Sequence, residues 1–300
     1  MGRVLYLQKN ASDNFAGLLD GFKKRLRETD HAENSVKSYL QALRSFLDWF
    51  NRRAGKGPEA VTPLDVVDYR QALQNDGKAP ATVNLHLKAV RAFFGWLVNE
   101  GVVRDNPAEG VKDVATGGPP APKWLTRAEQ AALMRAVREG GSLRDEAVVG
   151  LMLHAGLRVS EVCALHREDI RIGERSGWVV VRQGKGNKYR EVPLNKTVRK
   201  TLALWLAENP EGPLFPNRKG GPIGARGVFS LVAGYAYEAK LKDVSPHTLR
   251  HTFCKNAIDM GVPIDQVAVM AGHSSLDVTK RYTAPSRADL EAAVEKIAWE

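Results

Sequence analysis

Apolar side chains recur at helical spacing through the first hundred residues. Phe15, Leu18, Leu19, Phe22 and Leu26 mark one stripe. Val36, Tyr39, Leu40, Leu43, Phe46, Leu47 and Phe50 mark a longer one, about four turns long. Thr62-Pro63-Leu64-Asp65 reads as a helix start, with Thr62 as the cap, Pro63 where its missing N–H costs nothing, and Asp65 closing a box-like pair. Pro80 opens a fourth helix, with Val83, Leu87, Val90, Phe94 and Leu97 on one face and Gly101 as its stop. The spacing predicts a small helical bundle.

The pattern breaks at residues 114–122, Val-Ala-Thr-Gly-Gly-Pro-Pro-Ala-Pro. Glycine and proline cannot continue a helix, and prolines stiffen a connection. The expected division is a helical domain over 1–113, a linker over 114–123 and a second domain over 124–300. The second domain opens on a capping box at Thr126-Arg127-Ala128-Glu129 and is mostly helical with one β insert. Trp178 to Val181 is a short β-branched strand, Gly184-Lys185-Gly186-Asn187-Lys188 is its turn, and Tyr189 to Val192 returns as the partner. Ser245-Pro246 starts another helix, and Gly261 and Gly272 are stops. Ser286-Arg287-Ala288-Asp289 caps a last helix with Leu290, Val294 and Ile297 on one face.

The chain has 300 residues, with 43% hydrophobic and 26% charged, which excludes wholesale disorder and fibrous structure. Lys and Arg number 44 against 34 Asp and Glu, a net charge of +10. That excess favours a polyanionic partner, although charge of this size is compatible with many surfaces. Between Arg182 and Lys200 the only acidic residue is Glu191, and a solvated strand-turn-helix surface explains that run equally well. Two cysteines, Cys163 and Cys254, make no disulfide framework and read as small apolar groups. No apolar run approaches the ~20 residues needed to span a bilayer, and no signal peptide opens the chain. The expectation is a soluble, cytoplasmic protein without a membrane partner.

Several short strings carry candidate chemistry. In His247-Thr248-Leu249-Arg250-His251, helical spacing puts His247 and Arg250 on one face near a helix start, where an anion is already favoured. The same stretch has a metal reading, with His247 and His251 as ligands and His273 or Cys254 as a third, but no carboxylate cluster or Cys-x-x-Cys accompanies it. In His154-Ala155-Gly156-Leu157-Arg158-Val159-Ser160-Glu161, Gly156 ends one helix, and Arg158 and Glu161 lie three apart on the next. They form either a surface ion pair or an arginine aimed at a ligand. Lys185 between two glycines is a turn residue or an ammonium delivered on a loop. Tyr282, nine residues after Gly272-His273, is alone an ordinary core or rim residue.

Taken in order, Arg158, Lys185 on a hairpin, His247-x-x-Arg250, Gly272-His273 and Tyr282 resemble the tyrosine recombinase, or phage integrase, family. The resemblance spans about residues 124–285, and its layout is most similar to the short Xer-type site-specific recombinases. It implies a mainly α protein: an N-terminal helical core-binding (SAM-like) bundle, plus an α+β catalytic domain with a small β-hairpin sheet, closing as a C-shaped clamp around DNA. It implies that Tyr282 is the nucleophile that forms a 3′-phosphotyrosyl bond. Arg158, Arg250 and His273 would stabilise the phosphate oxygens, His247 would assist Tyr282 as base, and Lys185 would protonate the leaving 5′-oxygen. Glu161 and His251 take supporting places. Two arginines and a lysine can serve where nucleases use metal ions, so no metal or other cofactor is expected. The implied partners are double-stranded DNA with inverted-repeat sites and three further subunits, of this chain or of a related recombinase. The alternatives are a type IB topoisomerase that relaxes DNA by the same chemistry, and a non-catalytic DNA-binding regulator on the same fold.

Overall fold

The amphipathic stripes of the first hundred residues each fold as a helix. The computed structural model describes residues 15–54, 57–117, 122–182, 189–273, 275–283, 291 and 294–298. The chain divides into two compact units, Met1–Pro119 and Pro120–Glu300. In the first, α1 (Phe15–Glu28) lies on α2 (Glu33–Ala54), and α2 and α3 (Pro63–Asn75) both pack on α4 (Pro80–Asn99). Their stripes meet in an aromatic core. Phe46 stands edge-on to Tyr69 at 5.1 Å and to Phe94 at 6.2 Å, and Phe22 to Phe93 at 5.4 Å, arrangements that suit the ring quadrupoles. The box at Thr62 and Asp65 forms, with each side chain bonded to the other's backbone N–H. The segment after α4 is pinned back to it: Arg91 donates to the carbonyls of Ala108 and Val111, and Asn84 holds Val114 through both its N–H and C=O.

The second unit is built around α6 (Leu143–Ala155). Ala147 to Leu153 and Ala155 are all buried, so this helix has no polar face and is a core element rather than a surface one. α8 (Lys196–Glu208) and α10 (Pro246–Asp259) pack against it, and α5 (Arg127–Glu139) and α9 (Ala225–Glu238) cover a further side. The short α7 (Val159–Cys163), then α11 (Ile264–Ala271) and α12 (Leu276–Lys280), complete the helices used below. A three-stranded antiparallel sheet runs β1 (Ile170–Ile172), β2 (Gly177–Val181), β3 (Arg190–Pro193), with Val179 opposite both Ile170 and Val192.

The strands differ slightly from the sequence expectation. β2 gains Gly177, and β3 starts at Arg190 and ends at Pro193. β1 was not expected at all, because Ile-Arg-Ile is too short to show a period. The expected turn at 184–188, with Lys185, and the cap and first apolar position of the last helix, Ser286 to Leu290, lie outside the described residues. Val294 and Ile297 are exposed. Among the described residues no helix is long and apolar enough to cross a membrane. Both cysteines are free thiols.

Candidate active site

Arg158 stands at the start of α7 because Gly156 ends α6 so abruptly. Gly156 adopts φ +66°, and a Cβ there would meet Phe253 Cδ1 at 2.3 Å, so only glycine serves both the backbone and the packing. Arg158 is the N-cap residue of α7, and the third helical residue is Glu161. The Glu161 carboxylate accepts from the Arg158 backbone N–H at 2.8 Å and from Arg158 Nη1 at 2.8 Å. Arg158 Nη2 donates to the carbonyl of Gly272 at 2.6 Å.

α10 brings three of the expected residues together. Ser245 caps it, Pro246 and His247 sit in its first turn, and Arg250 and His251 follow on the second. Arg250 is buried. Its Nη1 donates to the carbonyl of Gly156 at 2.5 Å, and its Nη2 to that of Ala271. The two arginines are therefore tied to neighbouring carbonyls, Ala271 and Gly272, at the end of α11. Burial, then the Arg158 cation, lowers Arg250 to about 10, still charged at neutral pH.

Tyr282 follows α12 and is only 2% exposed, packed with Cys254, Val267 and Ala271. Its hydroxyl lies 2.5 Å from His251 Nδ1. The His273 ring stacks beside the phenol at 6.3 Å and 11°, and its Nδ1 is held by Thr279 Oγ1 at 2.7 Å. Burial, then the adjacent Cys254, raises the Tyr282 phenol well above its ordinary value. Burial also pushes His251 and His273 down to about 4. The neighbouring His247 and Arg250 add to the effect on His251, and Arg250 and Arg158 to that on His273. Both rings are neutral at pH 7, and in the tautomer with its proton on Nε2, His251 Nδ1 accepts a hydrogen bond from the phenol. His247 is lowered too, by desolvation and by Arg250 and Arg158, and its ring lies 6.4 Å from that of His251.

Seven of the expected residues thus fall in one unit along α7, α10 and the ends of α11 and α12; Lys185 lies outside the described residues. The base expected from the sequence, His247, stands one turn before His251 on α10, and His251 is the histidine that meets the Tyr282 hydroxyl. Arg190 was missed. It lay in a run of basic residues, yet it sits two positions before Val192 on a strand of period two, so both occupy the inward face. Cys254, read as a small apolar group or a third metal ligand, is packed with Tyr282. Among the described residues no group of three or more His, Cys, Asp or Glu could hold a metal ion.

Residues 123–288 match the phage integrase family, and residues 18–102 match the N-terminal SAM-like domain of phage integrases. The tyrosine recombinase XerC of Thermodesulfovibrio yellowstonii is 34% identical, over 85% of this chain and 87% of that one. The tyrosine recombinase XerD of Pseudomonas aeruginosa is 32% identical, over 91% and 94%. The fold is shared with the XerH site-specific recombinase bound to a palindromic difH substrate, at a TM-score of 0.76 with 19% identity, over 92% of this chain and 83% of that one.

Proposed function

The chain belongs to the phage integrase family, and from that premise we propose that it breaks and rejoins double-stranded DNA at specific sites, as a tyrosine recombinase of the Xer type. The supporting observation is the convergence of Arg158, Arg250 and Tyr282: two guanidiniums tied to adjacent carbonyls, and a phenol packed against the helix that carries one of them.

The chemistry follows from the groups. The Tyr282 oxygen attacks the scissile phosphorus, a P–O(Tyr) bond forms and the P–O5′ bond breaks. The phenol proton passes to His251, with His247 one turn away on the same helix. Lys185 gives a proton to the departing 5′-oxygen. Arg158, Arg250 and His273 donate to the non-bridging oxygens, where charge builds up in the pentavalent transition state. The phosphotyrosine retains the energy of the ester, so a 5′-hydroxyl from a partner duplex reseals the strand without ATP.

Repeating the exchange on the second strand pair requires four subunits on two inverted-repeat sites. The helical first unit and the net charge of +10 contribute phosphate contacts, which makes binding fall steeply with salt. The work is cytoplasmic, at the chromosome or an element within it.

The test uses nicked duplexes made from short inverted repeats found beside the coding region. The intact protein forms a covalent adduct that survives denaturation. Tyr282→Phe forms none while still retarding the same duplex. An adduct in that variant assigns the nucleophile to another residue. Efficient relaxation of a supercoiled plasmid lacking such repeats favours the topoisomerase reading instead.

A further inference from the structure

Arg190 opens β3, and its side chain is only 8% exposed. It faces Glu161 as a fork: Nη1 donates to Oε1 at 2.9 Å and Nη2 to Oε2 at 2.8 Å. Its Nε donates to the carbonyl of Met270 at 2.9 Å. It also lies against Gly272, where an added Cβ would stand 2.8 Å from Nη1. With φ +63° at that position, the chain turns closely past the guanidinium toward His273. One buried side chain therefore touches α7, the end of α11 and the approach to His273, from the first residue of β3.

The carboxylate at the centre is shared. Each Glu161 oxygen accepts two bonds, one from Arg190 and one from Arg158, and the side chain is 1% exposed. Two cations around one anion leave a surplus positive charge. Arg158 is the more exposed of the two, at 18%, and two of its five N–H groups are committed to Glu161 and Gly272. Take Arg190 away and the whole of the Glu161 charge falls on Arg158. In a low-dielectric setting that cancels most of the field Arg158 can offer an incoming phosphate.

We propose that Arg190 is a positioning residue for strand cleavage: by occupying Glu161 from within, it fixes the Arg158 guanidinium and keeps its charge available to the scissile phosphate. The proposal rests on the recombinase reading above. The assay separates the two, because an intact protein that forms no adduct refutes the recombinase reading before any variant is compared.

The experiment measures adduct formation on the nicked duplex by full-length protein, normalised to folded, DNA-bound enzyme. Arg190→Met slows cleavage about 10- to 100-fold, the loss usual when the partner that orients a functional group is removed. Adding Glu161→Gln to Arg190→Met restores at least tenfold of that rate, because the charge that quenches Arg158 has gone. On a duplex whose scissile phosphate is a methylphosphonate, which carries no charge, Arg190→Met and the intact protein cleave within about threefold of each other. Where Arg190→Met does not fold, Arg190→Gln, which is also neutral, is read in its place: slowed on phosphate, near the intact protein on methylphosphonate. A purely structural role gives a double variant worse than either single one and a deficit just as large on the neutral substrate. Either result overturns the proposal, as does full activity in Arg190→Met or Arg190→Gln.

Discussion

Gly156 joins the fold to the chemistry, and replacing it with alanine tests both. The residue holds φ +66°, where a Cβ costs about 1 kcal/mol. The same Cβ would lie 2.3 Å from Phe253 Cδ1 and 2.7 Å from Cε1. Forcing extra volume into a packed site adds about 1–3 kcal/mol, for a total of about 2–4 kcal/mol. In a domain of this size each kcal/mol lowers Tm by about 2–4 °C, so thermal unfolding followed by circular dichroism shows a fall of about 4–16 °C. The carbonyl of Gly156 also accepts from Arg250 Nη1. Relieving the clash moves that carbonyl, and a displacement of ~1 Å at a reacting centre costs about 100-fold in rate. Adduct formation measured well below both unfolding midpoints therefore drops as well. Gly156→Asn separates the causes, since asparagine tolerates the left-handed region but keeps the clash. A Gly156→Ala protein with Tm within about 2 °C of the parent, or with lowered Tm and unchanged cleavage, refutes the reasoning.

Lys185→Ala is slow on ordinary DNA and recovers on a substrate with a 5′-thiol leaving group, which needs no proton; absence of recovery removes the acid role. His251→Ala leaves the Tyr282 hydroxyl without its 2.5 Å partner and slows adduct formation about 10²–10⁴-fold, with partial recovery as pH rises toward the phenol's own ionisation; an unchanged rate returns the proton to His247. Stability depends on pH in two windows. The folded pKa values of His251 and His273, near 4, lie below the ordinary 6.5, so their share of stability is full above pH 6.5 and is lost as pH falls toward 4. Burial raises Glu161, but its bonds to Arg190 and Arg158 overcome that and hold it at about 2 against 4.5. Its contribution, roughly 3 kcal/mol, is present above pH 4.5 and is lost as pH falls toward 2. Urea midpoints at pH 7, 5 and 3.5 follow this decline, and His251→Gln flattens the step between 7 and 5.

The elements that sequence patterning reached were those in which local chemistry and tertiary packing agree. The stripes of α1, α2 and α4, the boxes at Thr62 and Thr126, and the glycine stops at 156 and 272 are all decided within a few residues of chain. β1 escaped because three residues carry no period. α6 showed no stripe because it is buried all round, and a helix without a polar face looks like any apolar run. At the site, residue types and their order were legible, but partnership was not. That Glu161 answers to Arg190 as well as Arg158, or that His251 rather than His247 meets the phenol, depends on where β3 and α12 dock on the helices. Contacts 29 and 31 residues apart leave no mark on local spacing.

The sheltered seat of Tyr282 has a bearing on what can reach its hydroxyl. A phenol tucked under Cys254, Val267 and Ala271 has no line of approach to a duplex brushing past, and α12, which precedes it, is only five residues long. So short a helix depends on its packing for stability, and the buried Thr279, bonded to His273, anchors it. At 2% exposure the ring is shielded by those neighbours, so the residue with the most reactive part to play is also among the best covered in its unit.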